Sequence, residues 1–129
     1  MSSLAAEVQE GRERIAASER AYETFLADVA IPVTRMLASA LKADGYPFTV
    51  NTPGGSLRLA SDKGRDDYIE LSLDASVDPP EVIGIIRYSK GSRTASEERP
   101  VKPGASPDAI TEDDVLEFLV RALEPWLER

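Results

Sequence analysis

The chain contains no cysteine and no histidine among its 129 residues. Without cysteine there are no disulfides, thiolate metal sites or thiol nucleophiles, although this absence fits either redox compartment. Without histidine the chain lacks the side chain most often used for acid–base chemistry near neutral pH, and the usual imidazole ligand of zinc. We therefore expect no enzyme, and predict no catalytic residue, no metal site and no cofactor.

Long apolar runs and basic stripes are also missing. No uninterrupted apolar run approaches the ~20 residues needed to cross a bilayer, and the first residues lack the basic and then apolar pattern of a signal peptide. We expect a cytoplasmic protein that does not bind membranes. The net charge is −8, and residues 105–129 hold seven acids against two bases. Because phosphate neutralisation supplies most nucleic-acid affinity, no nucleic-acid partner is expected.

The totals that remain are those of one globular domain covering residues 1–129. The chain is 42% hydrophobic and 29% charged, which is typical of a soluble protein. A chain of this length buries roughly two-thirds of its unfolded surface, so it needs no disulfide to hold a core.

The longest amphipathic stretch runs from Ile15 to Leu41. From Tyr22 onward its apolar residues recur every three or four positions, the period of one face of an α-helix. Residues 1–14 are polar, and we expect a frayed or loosely docked extension of this helix. Pro32 allows two interpretations, a single helix that bends near Val29 or two helices that meet at the proline. Since the apolar phase continues across Pro32, the kinked single helix is favoured.

The middle of the chain changes to the alternating period of β-strands. Turns rich in glycine, proline and serine separate the apolar segments, so consecutive strands are expected to pair as antiparallel hairpins. The run Val82–Ile86 is continuously apolar, which predicts a central strand buried on both faces over part of its length. Residues 93–98 are polar, and if they form a strand it is an edge strand. The expected strands lie at 48–51, 57–60, 68–74, 82–88 and 93–98.

The C-terminal helix carries the clearest local signals. Thr111 is the predicted N-cap, and Asp114 three residues later completes a variant of the capping box. Ile110 and Val115 occupy the positions of a hydrophobic staple. Three consecutive acids at residues 112–114 place negative charge at the positive end of the helix dipole. Pro125 is expected to distort the last turn.

Together these elements predict a two-layer α+β fold. An antiparallel meander of four to five strands is covered on one face by a long N-terminal helix, kinked near Pro32, and by a C-terminal helix. The other face of the sheet is expected to be polar and open.

One hairpin is the only place where basic residues dominate. Arg87, Lys90 and Arg93 surround it, Tyr88 lies between them, and Tyr68 is expected on the polar face of the sheet. These five residues are the candidate contacts for an acidic partner segment or a phosphate group. The plainer interpretation is a solvated hairpin balanced by the acids of the neighbouring strand.

Other polar clusters are interpreted structurally. Asp113, Asp114 and Glu117 form an acidic group, but its spacing is not that of a calcium loop. The glycine-containing loops 52–56 and 89–92 match no phosphate-binding motif and lie between strands, so they are predicted to be hairpin turns.

Two functions are considered for the apolar residues. A helix of 27 residues spans ~40 Å, whereas a six-residue strand spans ~20 Å, so the helix outreaches the sheet. We therefore expect a non-catalytic interaction module or chaperone-like protein that forms a homodimer through the N-terminal helix. In size and acidity it resembles the small acidic chaperones of bacterial secretion, although no motif carries this resemblance.

The alternative is a small-molecule or lipid binder with an apolar pocket between sheet and helices. The candidate pocket or interface residues are Tyr22, Phe25, Met36, Phe48 and Trp126.

Overall fold

A computed structural model describes residues 3–64 and 66–127 and confirms the two-layer α+β fold. Five strands form one antiparallel sheet in the order in which they occur along the chain. The helices pack on one face of this sheet. The elements are α1 Ser3–Phe25, a π-helical segment Leu26–Ala30, α2 Ile31–Ala43, β1 Phe48–Asn51, β2 Leu57–Ser61, β3 Tyr68–Asp74, β4 Glu81–Lys90, β5 Arg93–Pro100, α3 Glu112–Ala122 and α4 Glu124–Leu127.

The N-terminal helix is continuous, and a π-helical segment lies directly before Pro32. Within it the N–H of Ile31 bonds to the carbonyl of Leu26, five residues earlier. Proline has no N–H and its ring crowds the preceding turn, and the wider π turn accommodates both effects without a break. Of the two interpretations of the sequence, the single helix is the one found.

The π-helical segment changes which residues of α2 face the sheet. A π turn holds more residues than an α turn, so the residues that follow are rotated about the axis. Val33, Ala38 and Leu41 are buried, whereas Met36 is 60% exposed. The expectation that the apolar phase continues unchanged from Val29 to Met36 was therefore wrong.

The first part of α1 is helical but mostly exposed. Its first fully buried residue is Tyr22. Residues 3–14, expected to be frayed or loosely docked, therefore form regular helix that runs past the sheet. Residues 3–15 of α1 are called the overhang below.

The core lies between the helices and one face of the sheet. Leu57, Leu59, Ile69, Leu71 and Ile86 are each at most 2% exposed on that face. Tyr22 closes one end of this core by donating a hydrogen bond from its hydroxyl to the carbonyl of Leu71 at 3.2 Å. Burial raises the pKa of the Tyr22 phenol well above its usual range, and the Glu70 carboxylate adds to the rise.

The opposite face of the sheet is less polar than expected. Val82, Gly84 and Ile86 alternate toward the helices, while Ile83 and Ile85 are half-buried on the open face. Burial of β4 on both faces was predicted, but no helix among the described residues covers this second face. The open face therefore carries an apolar centre among polar side chains.

Residues Arg93–Pro100 form strand β5 at the edge of the sheet, as the polar sequence predicts for any strand there. It pairs with β4 over its whole length, from Lys90 opposite Arg93 to Ile83 opposite Pro100. Lys90 and Arg93 are like charges directly opposite each other, and both are exposed. The predicted balance by acids does not occur at these positions, because Glu97 and Glu98 lie opposite Ile86 and Ile85.

The start of α3 has the capping box that the sequence predicts. The Thr111 N–H donates to Asp114 at 2.9 Å, and the Asp114 N–H donates to the Thr111 hydroxyl at 3.2 Å. Lys102 approaches the same carboxylate at 3.1 Å. The Thr111 backbone hydrogen bond, with help from Lys102, holds the pKa of Asp114 below its usual range.

This lowered pKa makes part of the stability dependent on pH. A group whose pKa is depressed by folding stabilises the protein above its unfolded pKa, about 3.9 for aspartate, and this is lost as the pH falls through the folded value. The melting temperature of Asp114→Ala should therefore lie below that of the wild type by a constant amount above pH 5. Below pH 4 the two should converge. Thermal unfolding followed by circular dichroism measures this, with Asp113→Ala as the matched control; an unchanged gap down to pH 2 would contradict it.

The long helix also meets a simple criterion for membrane spans. Within Ser3–Ala43 an 18-residue window has a mean hydropathy of 1.4, and 28% of that window is buried. Core helices of soluble proteins and signal sequences meet the same criterion. The finding assigns no location, and the cytoplasmic location stays a prediction.

Candidate functional site

An apolar stripe on the overhang of α1 is the first candidate site. Leu4, Val8 and Ile15 are 70%, 50% and 37% exposed. At about 100° per residue these three side chains, Gly11 and Tyr22 fall within a sector of about 60° on the helix. The stripe therefore lies on the same face by which Tyr22 packs on the sheet. Exposure along this face rises toward the N-terminus, from Ile15 to Val8 to Leu4, so its cover by the rest of the protein ends along the overhang.

An ion pair holds the overhang against the body of the protein. Arg14 donates from Nε and Nη2 to the two carboxylate oxygens of Asp78, at 3.2 and 3.0 Å. Asp78 lies in the turn between β3 and β4. Both side chains are more than half exposed, so solvent limits the strength of this pair. Its two parallel hydrogen bonds nevertheless orient the helix relative to the turn.

The second candidate site is built around Asp67, the residue immediately before β3. This carboxylate is only 8% exposed. It accepts a hydrogen bond from the Ser89 hydroxyl at 2.8 Å and from the Trp126 indole N–H at 3.2 Å. The contact joins the last helix to the sheet across 59 positions of the sequence.

Trp126 is also surrounded by aromatic rings. The Phe48 ring meets it edge-on at 5.8 Å between centroids, and the Tyr88 ring at 6.0 Å. Beside it lies a pocket of about 300 Å³ at the corner where β1, the β2–β3 loop and α4 meet. Its lining combines aromatic and polar groups: Tyr46, Pro47, Phe48, Ser61, Lys63, Gly64, Asp67 and Trp126.

The five candidates of the basic hairpin are divided between two faces of the sheet. Tyr68 and Arg87 lie opposite each other on the open face. Tyr88 faces the helices and contacts Trp126, and Lys90 and Arg93 point to that side at the end of the hairpin. Because neighbouring residues of a strand point to opposite faces, the hairpin does not bring these five side chains into one patch.

A groove collects some of these residues with others that the sequence did not indicate. It has a volume of about 470 Å³ and lies where β4 and β5 extend past the end of α3. Tyr88 and Lys90 line it together with Arg99 and Arg121. Glu97 and Glu124 also line it, so the groove holds both charge signs and is not a purely basic site.

The open face of the sheet has a small ordered polar cluster. The Arg58 guanidinium lies 4.1 Å from the centre of the Tyr68 ring and pairs with Glu70 at 2.7 Å. Arg58 and Glu70 are cross-strand partners, as are Glu70 and Ile85. The sequence placed Tyr68 on this face, and the register of β2, β3 and β4 puts Arg58 and Glu70 beside it.

The predicted pocket residues do not meet in one cavity. Tyr22 and Phe25 are core residues, with ring centroids 6.3 Å apart, and Met36 points away from the core. Phe48 and Trp126 do line a common pocket, but it lies at the corner of the sheet and not beneath the long helix.

A metal ion needs carboxylates that are grouped closely enough to coordinate it together. Among residues 3–64 and 66–127, no group of three or more His, Cys, Asp or Glu residues is placed to hold a metal ion. Asp114 of the acidic group is committed to the helix cap and to Lys102.

Nothing in the sequence indicated that Asp67 is buried or that it meets Trp126 and Ser89. An aspartate that follows a turn normally remains in solvent. The one available signal was its position immediately before a strongly alternating strand, and that signal does not show which partner it meets.

Comparison with protein-family models, with curated proteins and with solved structures found no match to this chain.

Proposed function

We propose that this protein is a non-catalytic interaction module, of a chaperone-like kind, that acts as a homodimer paired through α1. The observation that carries the proposal is the overhang, on which Leu4, Val8 and Ile15 are exposed along one face. When a partner covers apolar side chains that an ordered helix exposes to water, association is favoured by about 25 cal/mol for each Å² of apolar surface buried. The ion pair of Arg14 with Asp78 supports the proposal, because a helix held in place loses less entropy on association.

The open face of the sheet is the surface on which such a dimer can hold another protein. Ile83 and Ile85 form its apolar centre, and the Arg58–Glu70 pair and Arg87 surround it with charge. An apolar centre with a polar rim is the usual anatomy of a protein interface. Pairing through α1 leaves this face uncovered, so self-association and partner binding use different surfaces.

Substitution of the stripe tests the dimer directly. Leu4→Ser/Val8→Ser should shift the protein to monomer, since the two most exposed apolar side chains of the stripe are lost. Sedimentation equilibrium between 1 and 500 µM measures the association constant, which should fall by about tenfold or more, as expected for a loss of about 1.4 kcal/mol.

The matched control is Met36→Ser/Val120→Ser. These residues are 60% and 48% exposed, against 70% and 50% for Leu4 and Val8, but they lie elsewhere on the helical layer. The control should leave the association constant unchanged. A wild-type protein that is monomeric over the whole concentration range would refute the homodimer.

The second candidate function is binding of a small molecule in the corner pocket beside Trp126. What favours it is a nearly buried carboxylate, Asp67, in the lining of a pocket that also has three aromatic walls. Pockets for small ligands typically combine apolar walls with a few placed polar groups. The polar lining suits a ligand that carries an amine better than it suits a lipid.

Trp126 is the only tryptophan of the chain, so its fluorescence reports on this pocket. Titration with small aromatic amines is expected to change the emission and to raise the melting temperature, whereas palmitate should do neither. Asp67→Asn should reduce the amine response, because the charge is lost while the shape is kept. If neither class of compound alters emission or melting, ligand binding at this pocket is excluded for the compounds tested.

A further inference from the structure

We infer that two copies of α1 pair antiparallel, with Gly11 of each copy receiving Val8 of the other; this arrangement rests on the homodimer proposed above. Its starting point is the sequence of the stripe. Leu4, Val8, Gly11 and Ile15 follow one another at spacings of four, three and four residues. That is the repeat by which two helices interlock along a seam.

Gly11 is the residue of the stripe that the single chain does not explain. A glycine inside a helix makes the helix less stable than alanine does. A Cβ at this position would meet only the Arg14 side chain, at 3.8 Å, which is an ordinary contact. By contrast, a Cβ at Gly84 would lie 2.1 Å from the Phe118 ring. The missing side chain of Gly11 therefore needs a reason outside the chain, and close approach of a second helix supplies one.

The position of the sheet decides the direction of the second helix. The stripe shares its face with Tyr22 and Phe25, which are already buried in the core of their own chain. If the second helix ran parallel and in register, its residues after Ser18 would lie along the same face of the first helix. They would then enter the space that the sheet of the first chain occupies. An antiparallel partner runs the other way and ends before it reaches the sheet.

One register uses every residue of the stripe. If the two-fold axis passes between Val8 and Gly11, then Leu4 lies opposite Ile15 of the second copy, and Val8 lies opposite its Gly11. The β-branched side chain of Val8 then enters the gap left by the glycine. Leu4 of the second copy stops about 10 Å before Tyr22 along the helix axis. The seam therefore ends at the level of Arg14, where the β3–β4 turn meets α1.

The charges beside the stripe agree with this register. Glu7 and Arg14 lie on the same flank of the helix, at spacing i and i+7. A two-fold axis perpendicular to the helices places each flank of one helix opposite the same flank of the other, so Glu7 of one copy approaches Arg14 of the other. Their positions differ by about 3 Å along the axis. Arg14 keeps its hydrogen bonds to Asp78 from Nε and Nη2, so each guanidinium lies between Asp78 of its own chain and Glu7 of the second copy. Because the contact is small, we expect a dissociation constant on the order of micromolar.

The absence of cysteine makes the geometry directly testable by disulfide formation. In the proposed pair, Leu4 and Ile15 of different copies face each other, whereas the two Leu4 residues are about 16 Å apart along the axis. A mixture of Leu4→Cys and Ile15→Cys, oxidised at concentrations above the dissociation constant, should form the mixed disulfide as its main product. Leu4→Cys alone should form little. A disulfide needs Cα atoms within about 7 Å, so the method separates the two directions.

Gly11→Leu is the second test, because its effects on the monomer and on the dimer have opposite signs. Leucine favours helix, so the melting temperature measured at 1 µM should rise by a few degrees. The association constant from sedimentation equilibrium should fall at least tenfold, since the gap for Val8 is filled.

Each outcome has a distinct meaning. Efficient self-linking of Leu4→Cys would establish parallel pairing and overturn the inference while the homodimer stands. A dimer in sedimentation that forms no mixed disulfide, or that Gly11→Leu leaves as tight as the wild type, would also overturn the antiparallel seam alone. A wild-type monomer at 500 µM would remove both the homodimer and the seam.

Discussion

Gly84→Ala is expected to destabilise the protein clearly, although it adds only one methyl group. Gly84 lies on the helix-facing side of β4, and an added Cβ would be 2.1 and 2.5 Å from two carbons of the Phe118 ring. Phe118 is itself only 8% exposed on α3, so the ring cannot simply swing into solvent. Overpacking of this kind costs about 1–3 kcal/mol. For a chain of this length that corresponds to a fall in melting temperature of roughly 4–11 °C.

Two further variants test the cause. Phe118→Leu removes the ring carbons that the new Cβ would meet. Gly84→Ala should therefore lower the free energy of unfolding by less in the Phe118→Leu background, with a coupling energy on the order of 1–2 kcal/mol. Gly11→Ala is the matched glycine control, because its Cβ meets only Arg14 at 3.8 Å. At low protein concentration it should raise the melting temperature. Equal losses from Gly84→Ala in both backgrounds would show that the Phe118 ring is not the obstacle.

Asp67→Ala is expected to produce the second large loss of stability. The substitution leaves the Trp126 indole N–H without its acceptor and the Ser89 hydroxyl without its partner. A buried donor left unsatisfied costs about 1–3 kcal/mol, and the indole is the more deeply buried of the two. Ser89 is exposed and its hydroxyl can bond to water instead, so we expect a total of about 1–3 kcal/mol from chemical denaturation. Asp67→Asn should cost less, because its amide oxygen still accepts one hydrogen bond.

Trp126 reports the change directly because it is the only tryptophan. Its emission should shift to longer wavelength in Asp67→Ala, as water replaces the carboxylate beside the indole. Asp113→Ala, an exposed aspartate on α3, is the control and should change neither stability nor emission by much. A similar free energy of unfolding for the two variants would mean that the Asp67 contact contributes nothing.

Much of the fold could be predicted because its signals are local. The alternation of Ile69, Leu71 and Leu73 predicts a half-buried strand, and the short turns on either side predict antiparallel neighbours. The capping box at Thr111 and Asp114 involves residues three apart, so its hydrogen bonds follow from chain geometry alone. In each case the interacting groups are close in sequence.

The candidate sites were less predictable because they depend on contacts between distant segments. Met36 follows the helical period of the sequence, yet the π-helical segment before Pro32 rotates it into solvent. Arg87 and Tyr88 are neighbours in sequence but point to opposite faces of the sheet. Only the register of the whole sheet shows which residues from other strands join each of them.

The sequence by itself determined the fold class, the edge position of β5, the cap of α3 and the excess length of the N-terminal helix. Each follows from periodicity, turn chemistry or helix rise, which act over a few residues. The tertiary structure decided that Asp67 meets Trp126 and that Gly84 faces Phe118. It also decided that the exposed stripe of α1 lies on the same helix face as the buried residue Tyr22. These contacts depend on how two layers pack, and packing is settled by the shape and burial of side chains from the entire chain.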